Sequence, residues 1–146
     1  MPAGTIVTAD PKQLTELFRT ARARVASTLP ETMGRVAEHL VSAVSDEFDS
    51  AGRGNWPPLA DSTIAHRRGT EAQILVDTGR FAGSIEADSG PDFVEAATDV
   101  SYAVYHVSDE PRSVIPLRNP FDIAPERVDE AYLMILDDMA AAIGGA

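Results

Sequence analysis

Apolar positions near the amino terminus recur with the spacing of a helix. Over residues 10–28 they lie three and four positions apart, at Leu14, Leu17, Phe18, Ala21 and Val25. Asp10 can cap this helix, and Pro11 suits its first position. A second apolar stripe follows Pro30 and ends before Gly52, a residue that commonly stops helices. The pattern therefore predicts either a helical hairpin or one long helix kinked at the proline.

The middle of the chain has shorter patterns. Residues 84–98 contain two short segments around a Ser-Gly-Pro-Asp turn, which predicts an antiparallel β-hairpin. Before it, residues 61–69 predict a brief helix capped by Asp61, and Asp77 or Thr78 can begin one more helical turn. Valine and tyrosine dominate residues 100–107, so propensity alone favours a strand there.

The last third combines a proline-rich segment with a final helix. Residues 111–124 contain too much proline for a central strand or a helix, so we expect an extended arm. Pro125 then opens a helix to about residue 143, with one apolar stripe at Val128, Tyr132, Ile135, Leu136, Met139 and Ile143. The fold class is therefore α+β, in one domain over residues 1–146 with a flexible segment at residues 1–9.

The chain is strongly acidic, and its charge is distributed unevenly. The net charge is −11. Residues 1–80 hold 9 Lys/Arg against 10 Asp/Glu, whereas residues 81–146 hold 3 against 13. Proteins that hold nucleic acid by its phosphates need a basic face, so specific DNA or RNA binding is not expected. The simplest interpretation of the acidic residues is solubility.

The sequence offers little catalytic chemistry. Cysteine is absent, and no phosphate-binding loop, nucleophile elbow or metal-ligand spacing of histidines occurs. We therefore predict no catalytic residue, no cofactor and no metal. His106 with Glu110 is the one candidate pair, and it keeps a small hydrolase open as an alternative. The amino terminus lacks the features of a secretory signal, and no apolar run is long enough for a membrane span, so we expect synthesis in the cytoplasm and no membrane partner.

Trp56, the only tryptophan, stands before two prolines that stiffen its loop. We predict that it is a largely buried anchor on the second helix or the hairpin.

Trp56 also belongs to the first of five short segments that follow one another in order, "FDSAGRGNWPPL", "STIAHRR", "ILVDTGRFAGSI", "YAVYH" and "IPLRNPF". This series resembles the phage virion morphogenesis family, the Mu G-like tail completion proteins. The resemblance covers residues 48–121 and is carried mainly by Trp56, Pro58, Leu59, Leu75, Gly79, Ser84, Tyr102, Ala103 and His106. It departs from the family pattern at Phe81, where leucine is usual, at Asn119, which is extra, and in lacking a glycine after His106.

The resemblance implies a structural virion protein that is not an enzyme. Such proteins assemble into a ring of subunits, here an expected hexamer, in the neck where the tail meets the head. The implied partners are copies of the chain itself and other neck, tail-terminator or head–tail connector proteins, and genome DNA passes through without specific binding. The resemblance also implies a short helix, not a strand, at "SYAVYH".

Two further expectations concern the neck. Arg118, on the proline-rich arm, is a candidate for a contact between subunits. Acidic residues could line the lumen and repel DNA from its wall. The candidates are Glu86, Asp88, Asp92 and Glu95 on the hairpin, and the start of the last helix is the second choice. A different class of function stays open beside these, namely an acidic interaction module that mimics nucleic acid and binds a basic partner.

Overall fold

A long helix precedes the irregular middle of the chain, and a shorter helix follows it. The structure, a computed structural model, describes residues 10–68, 73–110 and 114–145. In these ranges the elements are α1 (Pro11–Asp49), α2 (Asp61–Ala65), β1 (Ile85–Ser89), β2 (Val94–Thr98), α3 (Val104–Val107) and α4 (Pro125–Gly144). The predicted α+β class is thus confirmed. The segment 1–9, expected to be flexible, lies outside the described residues.

Helix α1 continues through Pro30, so of the two alternatives the structure has the single long helix. Asp10 caps it as predicted, since its carboxylate accepts a hydrogen bond from the Lys12 amide at 3.0 Å. A proline inside a helix removes one backbone hydrogen bond. Here α4 packs along α1 on both sides of the proline, through Arg24 to the Gly145 carbonyl and through Thr32 to Asp138. This packing offsets the lost hydrogen bond.

Helices α1 and α4 are antiparallel. Near the start of α4, Arg127 bonds to Ser42 at 3.1 Å and to Asp46 at 2.9 Å. The end of α4 lies beside Arg24. Residues 11–23 of α1 therefore continue beyond α4 by about 20 Å, at 1.5 Å per residue.

The β-hairpin was predicted correctly. Strands β1 and β2 are antiparallel, with Ala87 opposite Ala96 and Asp88 opposite Glu95. The hairpin packs on α1, and its Ile85 and Ala96 contact a buried cluster. That cluster consists of Val44, Phe48, Phe81 and Ala103. The core therefore lies where the second half of α1 meets the middle of the chain.

The short elements need two corrections, and one prediction among them is confirmed. Asp61 does not cap α2 but is its first residue, and Ala60 occupies the cap position. The turn after Gly79 is a single turn of 3₁₀ helix at Ala82–Ser84. Residues 101–107 are helical, as the family resemblance implied, and the strand favoured by propensity is wrong. Burial of Ala103 in the core decides the conformation there against valine and tyrosine propensity.

The proline-rich segment contains no helix or strand over residues 114–124, and it lies against the rest of the protein. The Arg118 amide donates to the His106 carbonyl at 3.1 Å, and Arg118 and Pro120 are buried. Part of the segment is therefore packed into the body of the chain; residues 111–113 lie outside the described residues, and an extended arm over 111–124 stays a prediction.

Candidate functional site

Phe81 is the centre of the aromatic cluster that the family motif builds. It is 2% exposed, and its ring centroid lies 5.2 Å from that of Phe48, in an edge-to-face arrangement. Tyr102 lies edge-on at 6.1 Å, and His106 stacks at 6.2 Å with an interplanar angle of 26°. In the sequence, Phe81 stands out only as a departure from the usual leucine of the family pattern. The structure shows that it joins α1 to the Tyr102–His106 segment.

Trp56 packs against the same cluster from the other side. Its indole is half-buried, less than predicted, and lies 6.1 Å from the Phe48 ring at an angle of 86°. Gly52 makes this approach possible. Its φ is +63°, and a Cβ there would lie 2.2 Å from Trp56 Nε1. Phe48, Gly52 and Trp56 therefore anchor the loop to the end of α1, which explains the tryptophan between polar residues and prolines.

Arg118 locks the loop after Trp56. Its Nε and Nη2 atoms both donate to the Pro57 carbonyl, at 3.0 and 2.8 Å, and Nη2 also donates to the Pro58 carbonyl at 2.9 Å. The side chain is 7% exposed, and this burial lowers the pKa of the guanidinium. These hydrogen-bond acceptors of Arg118 all lie within its own chain. A role of Arg118 at a subunit contact stays a prediction.

A cavity of about 570 Å³ opens beside these contacts. Six of the residues that the sequence singled out line it, namely Leu59, Leu75, Gly79, Tyr102, His106 and Arg118. Two other motif residues, Ser84 and Ala103, support the fold instead. The Ser84 hydroxyl bonds to the Phe81 carbonyl at 2.8 Å and to Thr98 Oγ1 at 2.6 Å, which holds the start of β1 to the end of β2. Ala103 is in the core.

This space, called the cationic cavity below, has a basic lining in an acidic protein. Arg67, Arg68, Arg80 and Arg118 all contribute to it. Arg67 donates from Nη2 to the carbonyls of Gln73, at 2.7 Å, and Val76. In the sequence, Arg67 belongs to the "STIAHRR" segment, and nothing in the pattern indicates a role for it.

Asp77 also lines the cationic cavity, and it is bound to a neighbouring arginine. Its carboxylate accepts from the Arg68 amide at 2.9 Å and from Arg68 Nε at 3.2 Å. The backbone hydrogen bond is the largest cause that lowers the pKa of Asp77, and the charges of Arg68 and Arg67 add to it, while burial opposes it. Asp77 therefore stays ionised and neutralises part of the basic lining.

The acidic residues of the hairpin lie on its solvent side. Asp88 and Glu95 are directly opposite in the register, and Glu86 points to the same side as Asp88 because side chains alternate along a strand. All three are exposed, and Asp92 is exposed in the turn. Like charges directly opposite one another weaken a hairpin, so this acidic face is not explained by stability. Its position in a lumen stays a prediction.

Two apolar stripes are exposed on the helices. The first lies on the part of α1 beyond α4, where Leu14, Leu17 and Phe18 are exposed, Phe18 by 70%. The second is on α4, where the predicted single stripe is divided between two sides. Val128, Ile135 and Met139 are half-buried, whereas Tyr132, Leu133, Leu136 and Ile143 are exposed. Exposed large apolar side chains grouped on one helix side are typical of interaction sites.

Other kinds of site are not found in the described ranges. Within residues 10–68, 73–110 and 114–145, no group of three or more histidine, aspartate or glutamate side chains could hold a metal ion. No described helix is long and apolar enough to cross a membrane. The arrangement is suited to contacts with other proteins, through the two stripes, the acidic hairpin and the cationic cavity.

These features define a small α+β protein with several exposed contact surfaces. The profile of the phage virion morphogenesis family matches residues 9–125 of the chain. The chain belongs to this family, which gives it a structural role in the assembly of phage virions. Searches of curated proteins and of solved structures find no match.

Proposed function

We propose that the protein is a tail completion protein that forms a ring of subunits in the neck, where it joins tail and head. Family membership supports a role in virion assembly. The proposal of a ring of subunits rests on the two exposed apolar stripes, one on α1 and one on α4, because a monomer gains no stability from exposing them.

The α1 stripe continues an interface that already exists within the chain. Farther along α1, α4 covers the helix side that carries Thr32 and His39. By helical periodicity Leu14 and Phe18 lie on the same side, past the end of α4. A second helix can therefore pack there in the same way.

The charges of the two surfaces indicate which helix packs on the α1 stripe. They favour the α4 stripe of a second copy of the chain. Residues 11–25 carry Lys12, Arg19, Arg22 and Arg24 against Glu16, a net charge of +3. Residues 125–144 carry Glu126, Asp129, Glu130, Asp137 and Asp138 against Arg127, a net charge of −4. The two surfaces differ, so their contact is heterologous and closes into a ring when the rotation between subunits allows it.

In such a ring the acidic face of the hairpin would line the lumen. Glu86, Asp88 and Glu95 form one exposed face with no basic partner among the described residues. Carboxylates in that position repel the phosphates of passing DNA and avoid the affinity that each cationic contact would add.

The same acidic face supports a second candidate function, an interaction module that occupies the nucleic-acid site of a basic protein. The two functions differ in stoichiometry. A ring protein forms large homo-oligomers, whereas the mimic is a monomer or dimer with a tight, salt-sensitive basic partner.

Deletion of the gene in the phage tests the role in joining. Electron microscopy of the resulting lysate should show filled heads and separate tails, and a plasmid copy of the wild-type gene should restore joined particles. Joined, infectious particles from the deletion would contradict the proposed function.

A further inference from the structure

We propose that the cationic cavity binds a peptide segment of a partner protein in which a carboxylate stands beside an aromatic or aliphatic side chain. This contact site is separate from the two helix stripes, and it does not depend on the chain forming a ring.

The strongest indication is the unused bonding capacity of Arg67. Its Nη2 atom is occupied by two backbone carbonyls. Its Nε and Nη1 atoms are buried, and no acceptor for them occurs in the described part of the chain. Buried charged donors without an acceptor are costly, and a carboxylate forms a strong, charge-assisted hydrogen bond with a single guanidinium N–H. Arg67 lines the cavity, so a turn of its side chain toward that space would bring these atoms to an acceptor supplied from outside and remove this cost.

The charges around the cavity make that acceptor an anion. Four of the 12 Lys and Arg residues of the chain line this one space. Arg118 bonds only to neutral carbonyls in the described residues, and Asp77 is already bound to Arg68. The basic charge of the lining thus exceeds its acidic charge, and a ligand carboxylate would reduce the excess.

The rest of the lining selects a peptide over a free anion or a nucleic acid. Leu59, Leu75 and Phe81 supply apolar wall, which an inorganic anion cannot use and a hydrophobic side chain can. The net charge of −11 repels a polyphosphate chain before it reaches the cavity.

Two blocked peptides test the chemistry directly. Acetyl-Gly-Asp-Phe-Gly-amide carries the carboxylate and the aromatic side chain, and acetyl-Gly-Asn-Phe-Gly-amide is its neutral match. In ¹H–¹⁵N chemical-shift titrations of the full chain, the Asp peptide should bind about tenfold more tightly, because its carboxylate forms charge-assisted hydrogen bonds that the neutral Asn amide cannot match. The shifts should cluster at Leu75, Gly79 and Tyr102, and acetate alone should bind more weakly than the Asp peptide.

Variants then assign the effect to the cavity. Arg67→Gln should remove the preference for the Asp peptide, and Arg35→Gln, which removes the same charge at an exposed position of α1 outside the cavity, should keep it. If Arg67→Gln does not fold, Arg80→Gln serves instead, because Arg80 is exposed and its loss should reduce the preference without unfolding the chain. Equal binding of the two peptides, equal binding of acetate, or shifts away from the cavity would overturn the proposal. None of these results bears on ring formation.

Discussion

The guanidinium of Arg118 donates two hydrogen bonds to the carbonyl oxygen of Pro57, a residue 61 positions earlier in the chain. Prolines have no amide N–H, but their carbonyls accept normally. The stiff loop after Trp56 thus presents two acceptors at fixed positions, and the proline-rich arm supplies the donor. Two segments without secondary structure are held together by one buried cation.

Arg118→Ala should therefore destabilise the isolated chain. It removes three hydrogen bonds from a charged donor and leaves the two proline carbonyls without it, so we expect a loss of about 2–4 kcal/mol in the free energy of unfolding. Urea denaturation followed by circular dichroism measures this loss. Arg80→Ala, an exposed arginine in the same region, should change stability by less than about 0.5 kcal/mol. Equal effects of the two substitutions would show that the Arg118 contacts contribute little.

Alanine substitutions at Gly52 and Gly54, compared with each other, measure how much stability depends on the close contact between Trp56 and the backbone at Gly52. Both have positive φ, +63° and +78°, so alanine is strained at either position by about 1–2 kcal/mol. Only at Gly52 would the new Cβ meet the indole, whereas at Gly54 nothing lies within 4 Å. Gly52→Ala should thus cost about 1–3 kcal/mol more than Gly54→Ala. Its Trp56 emission should also shift to longer wavelength, and an unchanged spectrum with equal stabilities would refute this role of Gly52.

Much of this fold was accessible from the sequence, because its helices are amphipathic and its hairpin has a clear turn. The continuity of α1 could not be predicted, since the effect of Pro30 depends on α4, whose contacts to α1 join residues 106 and 121 positions apart along the chain. The division of the α4 stripe was also hidden, because periodicity shows that a side chain is apolar but not which neighbour covers it.

The candidate site was predictable only in part. The motif residues pointed to Leu59, Tyr102 and His106, but the bonds of Arg118 and the buried nitrogens of Arg67 depend on how distant loops meet. Phe81 differed from the family pattern, and its central position followed only from three-dimensional packing.

The stripes predict how subunits associate. Phe18→Glu places a charge in the α1 stripe, and Leu136→Glu does the same in the α4 stripe, so each variant alone should lose large assemblies in size-exclusion chromatography with light scattering. Ala23→Glu, exposed on the opposite side of α1, is the control and should assemble normally.

Mixing the two stripe variants gives a sharper test. In a heterologous contact, the intact α4 of Phe18→Glu can still bind the intact α1 of Leu136→Glu. The mixture should therefore form dimers but no rings. Full assembly by Phe18→Glu alone would exclude this interface.

The acidic hairpin face predicts the behaviour of DNA in assembled particles. Replacing Glu86, Asp88 and Glu95 with lysine should give particles that retain or eject DNA poorly, because a basic lumen wall binds phosphate. Lysine at Glu31, Glu38 and Glu110, which are exposed elsewhere, changes the net charge equally and should leave ejection normal. Normal DNA delivery by the hairpin variant would rule out its lumen position.

The central claim is that this virion assembly protein completes tails by forming a ring of subunits. Electron microscopy and mass photometry of the purified chain, alone and mixed with tails from phage that lack its gene, test it most directly. The account predicts closed rings of one subunit number, with a ring at the end of each tail. A chain that stays monomeric at every concentration and leaves the tail ends bare would contradict it.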